Sequence, residues 1–231
     1  MTSLNSTSGD STVRVRWFAG VLLAACFLLV ACQLAGARGG AIAAKLIASS
    51  AFLAIALDAG ALRSGYGGAV LTALVFSWFG DAFLLGNSER FFQFGLISFL
   101  LAHIAYLIAF TLHGLNIRWL LGALLPVGLG SLGAISWLLP HVPESMRLPV
   151  SVYTLVISLM VAAAFATRGA GGAALIPAGA ALFYLSDLSV AAGQFVQPAF
   201  PNYVWGLPFY YIGQLLLARS IAGIGPAGRA P

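Results

Sequence analysis

Apolar residues fill this chain in long blocks that short polar connections separate. Each block is close to the ~20 residues that an α-helix needs to cross a bilayer. Polar and apolar residues do not alternate within the blocks, so the pattern is not that of a transmembrane β-barrel. It predicts eight membrane-spanning segments, at about residues 17–35, 41–58, 67–87, 92–112, 119–139, 147–166, 172–195 and 203–221.

These segments must be helical, because a bilayer contains no water that could hydrogen-bond an open backbone. The connections between them are short, which favours a single domain. We therefore expect an all-α polytopic membrane protein, an eight-helix bundle that encloses a buried polar cavity. The bundle is predicted over residues 14–223, with a disordered polar tail at 1–13 and a C-terminal tail at 224–231.

Composition supports a lipid environment. Hydrophobic residues make up 61% of the chain and charged residues only 7%, against about 25% charged residues in soluble domains. The net charge of +5 comes from basic residues scattered singly, so no basic patch for nucleic acid is predicted. No Cys/His spacing typical of a metal site is present, and we predict neither a metal nor an organic cofactor.

Arginines near the helix ends predict the orientation, because cytoplasmic loops carry the excess of positive charge. With eight spans, the side that holds the termini has the larger set. We therefore expect a multi-pass protein of the cell membrane with both termini in the cytoplasm. The two sets are Arg14, Arg16, Arg63, Arg118, Arg168, Arg219 and Arg229 on the side of the termini, and Arg38, Arg90 and Arg147 on the other.

The first helix has an alternative interpretation. Two arginines, an apolar run and Leu29-Val30-Ala31-Cys32 also fit a lipoprotein signal peptide, which would be removed before Cys32. Matches of four residues arise readily in helices rich in alanine and leucine. We therefore retain residues 17–35 as a transmembrane helix.

Four ionisable residues lie inside the apolar blocks: Lys45, Asp81, His103 and Asp187. A charge at the bilayer centre costs ~2.5–3.5 kcal/mol, so such residues are candidates for function. Both aspartates lie about 14–15 residues into parallel helices, which is ~21–22 Å along each helix. We expect the third and seventh helices to hold the two carboxyls within ~10 Å around one cavity. The alternative is that each aspartate only bonds a neighbouring helix.

Other polar residues share faces of the fourth and eighth helices. His103 and Tyr106 lie on one side of the fourth helix. Tyr210 and Gln214 are one turn apart on the eighth, next to Tyr211. We expect these residues to contact substrate together with Lys45. For His103, a purely structural interior role is an equal alternative.

Motifs around these residues are similar to those of a known family. The likeness runs over nearly the whole chain from about Lys45 onward, although Lys45 precedes leucine where the family usually has proline. The motifs are Phe79-Gly80-Asp81, Arg90-Phe91-Phe92, His103 with Tyr106, Tyr153 with Met160, Leu182–Asp187 and Tyr210–Gln214. Together they resemble the YhhN family of lysoplasmalogenase-like membrane proteins.

The resemblance implies a hydrolase that cleaves the vinyl-ether bond of a lysophospholipid-type substrate, a lysoplasmalogen, to a fatty aldehyde and a glycerophospho-base. The family's paired aspartates correspond to Asp81 and Asp187. The chemistry fits, because protonation of the enol-ether β-carbon gives an oxocarbenium ion that water captures. Two carboxyls in a low dielectric can supply the proton and the stabilising negative charge. Lys45 is expected to hold the lipid phosphate.

Two other classes of protein remain open. Buried aspartate and lysine in proline-containing helices also suit a proton-coupled transporter of a small molecule or lipid. An intramembrane aspartyl protease likewise uses two aspartates, and Phe79-Gly80-Asp81 is similar to its Gly-x-Gly-Asp motif. However, Trp78 stands where that motif has its first glycine, and the Pro-Ala-Leu element is missing.

Overall fold

A computed structural model describes residues 6–201 and 203–223; the predicted C-terminal tail at 224–231 lies outside them. The described residues form α-helices joined by short turns, and none of them is in a β-strand. The predicted all-α class is therefore confirmed. In chain order the helices are α1 (Ser6–Leu34), α2 (Arg38–Asp58), α3 (Gly65–Phe83), α4 (Glu89–His113), α5 (Ile117–Leu138), α6 (Glu144–Ala166), α7 (Leu175–Ala191) and α8 (Tyr203–Arg219).

The first helix starts earlier than the apolar pattern predicts. It begins at Ser6, so residues 6–13, which the sequence assigns to a disordered tail, are helical. No proline interrupts the chain there, and a helix can extend beyond the part that lipid covers. Arg14 pairs with Asp58 at the end of α2 at 3.1 Å, which fixes this part of α1 against its neighbour.

Polar caps mark where α3, α4 and α5 start. The side chains of Ser64, Ser88 and Asn116 each accept a hydrogen bond from a backbone N–H in the first turn of the helix that follows. Such caps satisfy donors that the helix itself leaves unpaired. Gly114 follows α4 with φ +111°, a conformation that glycine adopts without steric cost. Both ends of α4, the helix that carries His103, are thereby fixed.

The described helices include six stretches that are long and apolar enough to cross a membrane, so the chain is a multi-pass membrane protein. The other two helices, α3 and α8, do not meet these criteria of length and apolarity. α8 has only 17 residues, and α3 contains Asp81 and begins with a glycine-rich turn. The six stretches are Val13–Leu34, Arg38–Asp58, Glu89–His113, Ile117–His141, Glu144–Ala170 and Leu175–Val196.

Consecutive helices pack in pairs: α1 with α2, α3 with α4, α5 with α6, and α7 with α8. α8 also packs against α1, α2 and α3. It therefore connects α3, which carries Asp81, to α7, which carries Asp187.

Glycines allow the closest of these contacts. An added Cβ on Gly213 of α8 would lie 2.9 Å from the carbonyl oxygen of Gly179 on α7. On α3, a Cβ on Gly80 would come within 2.7 Å of the Phe99 ring on α4. Small residues of this kind let the backbones of membrane helices approach each other. Gly80 directly precedes Asp81, so the α3–α4 approach also sets the position of that aspartate.

Candidate active site

Asp81 is held by two residues of α2. Its Oδ1 accepts a hydrogen bond from Lys45 Nζ at 2.9 Å, and its Oδ2 accepts one from Ser49 Oγ at 2.7 Å. Asp81 is 2% exposed and Lys45 8% exposed. Lys45 and Ser49 are one helical turn apart, so they share the face of α2 that meets α3. The carboxylate therefore has a buried counter-ion and a hydroxyl donor.

Asp187 has a different environment. Its Oδ2 accepts a hydrogen bond from the Tyr153 hydroxyl at 2.5 Å and lies 2.8 Å from His103 Nε2. The same nitrogen lies 2.9 Å from the Tyr153 hydroxyl. His103 is fully buried, and its Nδ1 has no hydrogen-bond partner among the described residues. A carboxyl, an imidazole and a phenol thus meet at one point between α4, α6 and α7.

Tyr153 appears in the sequence motifs but not among the predicted site residues. Tyrosines in membrane proteins are commonplace near the interfaces, and Tyr153 reads as one more aromatic residue. The feature that could have identified Tyr153 is its position near the middle of α6, beside the polar Thr154. A phenol in mid-helix needs a hydrogen-bond partner inside the bundle, and Asp187 is that partner.

Side chains of α4 and α8 form a second polar network next to Asp81. The Tyr106 hydroxyl donates to Gln214 Oε1 at 2.6 Å, and Gln214 Nε2 donates to Ser77 Oγ at 3.0 Å. Tyr210 donates to the Ser77 carbonyl oxygen at 3.4 Å. The Tyr211 hydroxyl lies 3.3 Å from Ser49 Oγ, the hydroxyl that contacts Asp81. The network thus connects α8 to the helices on both sides of Asp81.

A cavity of about 140 Å³, which we call the aspartate cavity, brings the two acidic residues together. Asp81 and Asp187 both line it, as do Lys45, Tyr153 and Tyr210. Most of the remaining wall is apolar. α8 packs against the helices that carry both aspartates.

The predicted substrate-binding residues fall into two groups. Lys45 and Tyr210 line the aspartate cavity. The others are buried behind its wall and reach it only through hydrogen bonds to lining residues or to their neighbours; they are His103, Tyr106, Tyr211 and Gln214. Their direct contact with substrate stays a prediction from the sequence.

The fold and the site define a class: an integral membrane helical bundle with two carboxyls, one buried and one partly exposed, lining one cavity. Within the described ranges, no group of three His, Cys, Asp or Glu side chains is arranged to hold a metal ion. The sequence matches the YhhN family over residues 15–221. The chain therefore belongs to this family, as the motifs predicted.

Curated relatives carry the name lysoplasmalogenase. Lysoplasmalogenase TMEM86A of Bos taurus is 32% identical over 157 residues, which are 65% of this chain and 64% of that protein. Lysoplasmalogenase TMEM86B of Sus scrofa is 34% identical over 167 residues, 72% of this chain and 68% of that protein. The chain thus matches slightly less than two thirds of the bovine relative. No solved structure matches it.

Proposed function

We propose that this protein is a membrane-embedded hydrolase that cleaves the vinyl-ether bond of lysoplasmalogens and releases a fatty aldehyde and a glycerophospho-base. The observation that carries the proposal is that two aspartates with different partners line one largely apolar cavity. The family and the names of the curated relatives support the same reaction. Water is the only co-substrate that the reaction requires.

Charge balance assigns different roles to the two aspartates. Lys45 and Asp81 form a buried ion pair with no net charge, and we assign to Asp81 the role of the carboxylate. An unpaired carboxylate at Asp187 would be costly in these apolar surroundings. The Asp187–His103 pair is neutral overall if the two side chains together hold one dissociable proton. We assign that proton to catalysis.

The reaction then starts at Asp187. The Asp187–His103 unit transfers its proton to the β-carbon of the vinyl ether, and the C=C electrons form the new C–H bond. The resulting oxocarbenium ion is stabilised by the carboxylate left at Asp187, as in glycoside hydrolysis. Water adds to the cation and returns a proton to the unit. The hemiacetal then collapses to aldehyde and alcohol, and no atom or charge is left over.

Asp81 and Lys45 act on the other side of the cavity. The Asp81 carboxylate can orient the attacking water and balance the developing cation. Lys45 has its ammonium at the cavity wall, where it can contact the phosphate of the substrate while Asp81 holds it in place. Hydrogen bonds of Tyr106, Tyr211 and Gln214 fix α8 relative to the helices that carry Asp81 and Ser49, without lining the cavity themselves.

We also propose that α3 and α8 complete eight spans across the cell membrane, with both termini in the cytoplasm. Both helices pack within the bundle against other helices. A span shielded from lipid in this way can carry polar residues such as Asp81 and Tyr210 at lower cost than a lipid-facing one. The arginine distribution supports the orientation.

The test is aldehyde release from a lysoplasmalogen by purified wild-type protein and by Asp187→Asn and Asp81→Asn. We expect Asp187→Asn to lower kcat by about 10²–10⁴-fold, the range for loss of a general acid. Asp81→Asn should also lower kcat strongly, because Lys45 then lacks its counter-ion. Asp58→Asn is the matched control, since Asp58 pairs with Arg14 outside the cavity.

Wild-type activity in either aspartate variant would contradict the roles assigned here. Absence of aldehyde release by the wild type would contradict the hydrolase itself. Proton-driven uptake of a solute into liposomes by the same preparation, without lipid turnover, would instead support the transporter.

A further inference from the structure

Two larger hollows adjoin the aspartate cavity. The first, which we call the vestibule, has a volume of about 910 Å³ and opens where α3 ends and α4 begins. Polar side chains line it, among them Asn87, Glu89, His141 and Gln194. It shares part of its wall with the aspartate cavity. The shared residues are Lys45, Leu84, Phe92, Val190 and Phe195.

The second hollow, which we call the groove, has a volume of about 710 Å³ and lies between α5, α6 and α7. Its wall is almost entirely apolar, with Trp119, Val127, Val161 and Phe165 among its residues. Tyr184 lines both the groove and the aspartate cavity. The groove and the cavity therefore meet at Tyr184, the residue that their two walls share.

The three hollows follow one another along the same helices. On α7, Ala181 and Leu185 line the groove, Asp187 lines the aspartate cavity, and Gln194 just beyond the helix lines the vestibule. The same order holds on α6, from Phe165 back to Met146.

On α5 the order again follows the direction of the chain, as on α7, because α5 and α7 are both antiparallel to α6. Trp119 and Gly130 line the groove, Ala134 and Leu138 line the aspartate cavity, and His141 after the helix lines the vestibule. The vestibule, the aspartate cavity and the groove therefore lie in a row along the helix axes, with the polar vestibule at one end and the apolar groove at the other.

The aspartate cavity alone cannot hold a lysolipid. A cavity of roughly 150 Å³ takes a molecule about the size of benzene, and the aspartate cavity has about 140 Å³. A long alkenyl chain and a phosphate-bearing head group must therefore extend beyond it in opposite directions. The apolar groove and the polar vestibule lie in those two directions.

We propose that the groove binds the hydrocarbon tail of the lysoplasmalogen, with the vinyl ether at Asp187 and the head group in the vestibule. This inference rests on the proposed function. It makes α5 and Tyr184 determinants of chain-length specificity.

Tyr184 forms the boundary that the tail must pass. Its hydroxyl lies 3.0 Å from Ser131 Oγ on α5, and Ser131 Oγ lies 2.6 Å from Ser158 Oγ on α6. These contacts hold the ring between cavity and groove. The tail passes beside the ring, along the apolar face that Tyr184 presents to both hollows.

Glycines of α5 allow the groove to be blocked without disturbing the fold. Gly130 lines the groove about four residues, or ~6 Å, from Ala134 in the cavity wall. A Cβ added at Gly130 has no atom within 4 Å, so a leucine there would enter open space in the groove. Gly128 is equally open but does not line the groove, because two residues turn the helix by about 200°.

The experiment compares wild type, Gly130→Leu and Gly128→Leu on lysoplasmalogens with a hexadecenyl or an octenyl chain. We expect Gly130→Leu to lower kcat/KM for the hexadecenyl substrate by about tenfold or more, the loss expected when two or more methylenes lose their burial. The octenyl substrate should be hydrolysed at the wild-type rate, which also shows that the variant is folded. Gly128→Leu should match the wild type on both.

Unchanged hexadecenyl turnover in Gly130→Leu would overturn the inference, and so would equal loss on both substrates, because a blocked tail site must discriminate by length. If the wild type releases no aldehyde from either substrate, the proposed function fails instead. A photoreactive group at the chain end of a lysophosphocholine probe gives an independent readout: labelling of Trp119 or Phe165 supports the groove, and labelling confined to vestibule residues overturns it.

Discussion

At the residue scale, the site depends on unequal partners for similar side chains. Asp81 has an ammonium and a hydroxyl, whereas Asp187 has an imidazole and a phenol. In the proposed mechanism, the first set stabilises a negative charge, and the second holds the proton that is transferred to substrate. Tyr153 matters here because its hydroxyl contacts both Asp187 and His103.

We expect Tyr153→Phe to lower kcat by about 10–100-fold with little change in KM. The variant keeps the ring but removes the donor to Asp187 Oδ2, a hydrogen bond to a charged group worth about 1.5–3 kcal/mol. Steady-state kinetics of aldehyde release will measure both constants. Tyr66→Phe is the control, since Tyr66 is also buried and bonded, to Ser220 at 2.6 Å, but does not line the aspartate cavity. An equal loss in both variants would show that Tyr153 is only structural.

Much of the site could be predicted at this scale, and part could not. Asp81, Asp187 and Lys45 stand out in sequence because a charge inside an apolar block is costly wherever it lies. Which charges pair depends on how helices pack, and that is why the 2.9 Å bond between Lys45 and Asp81 was not foreseen. Tyr153 was missed for the related reason that an aromatic residue incurs no visible cost in an apolar block.

At the element scale, most helix positions follow from the apolar pattern, since bilayer thickness fixes segment length. The start of α1 does not, because residues 6–12 are small or polar and their helix continues outside the apolar region. The π-helical turn at Ala192–Val196 after α7 does not follow from the apolar pattern either, because that pattern predicts a regular helix up to residue 195. The packing of α8 between α3 and α7 depends on glycine contacts that no periodicity reveals.

We expect Gly213→Ala to destabilise the protein by about 1–3 kcal/mol, the usual cost of overpacking. The new Cβ would lie 2.9 Å from the Gly179 carbonyl oxygen and 3.2 Å from the Phe183 backbone nitrogen, so α7 and α8 must separate. Thermal unfolding in detergent will measure the effect. Gly20→Ala on α1, where a Cβ meets no atom within 4 Å, should unfold at the wild-type temperature. Equal stability of both variants would show that the α7–α8 contact is not tight.

At the scale of the whole molecule, the proposed eight spans would place the connections between helices alternately on the two sides of the membrane. The turn after α3 borders the vestibule, and the turn after α4 lies at the opposite end of the bundle. With both termini in the cytoplasm, the vestibule opens on the non-cytoplasmic side. Substrate would then present its head group from that side.

This orientation predicts opposite labelling of two single-cysteine variants, Asn87→Cys after α3 and Leu115→Cys after α4, in a chain whose Cys26 and Cys32 are replaced by alanine. In intact cells a membrane-impermeant maleimide should modify the cysteine at position 87 only. Modification at 115 should require permeabilisation. Labelling of both from outside would contradict a span at α4, and the reverse pattern would contradict the cytoplasmic termini.

The contact between Lys45 and Asp81 also bears on how the chain enters the bilayer. Each residue alone would oppose release of its helix into lipid by ~2.5–3.5 kcal/mol. The two helices are consecutive, joined by a turn of a few residues, so they can leave the translocon together as a hairpin whose opposite charges already cancel. Biogenesis of α2 and α3 would then be a single coupled event, and loss of either partner would lower the yield of membrane-integrated protein independently of its effect on kcat.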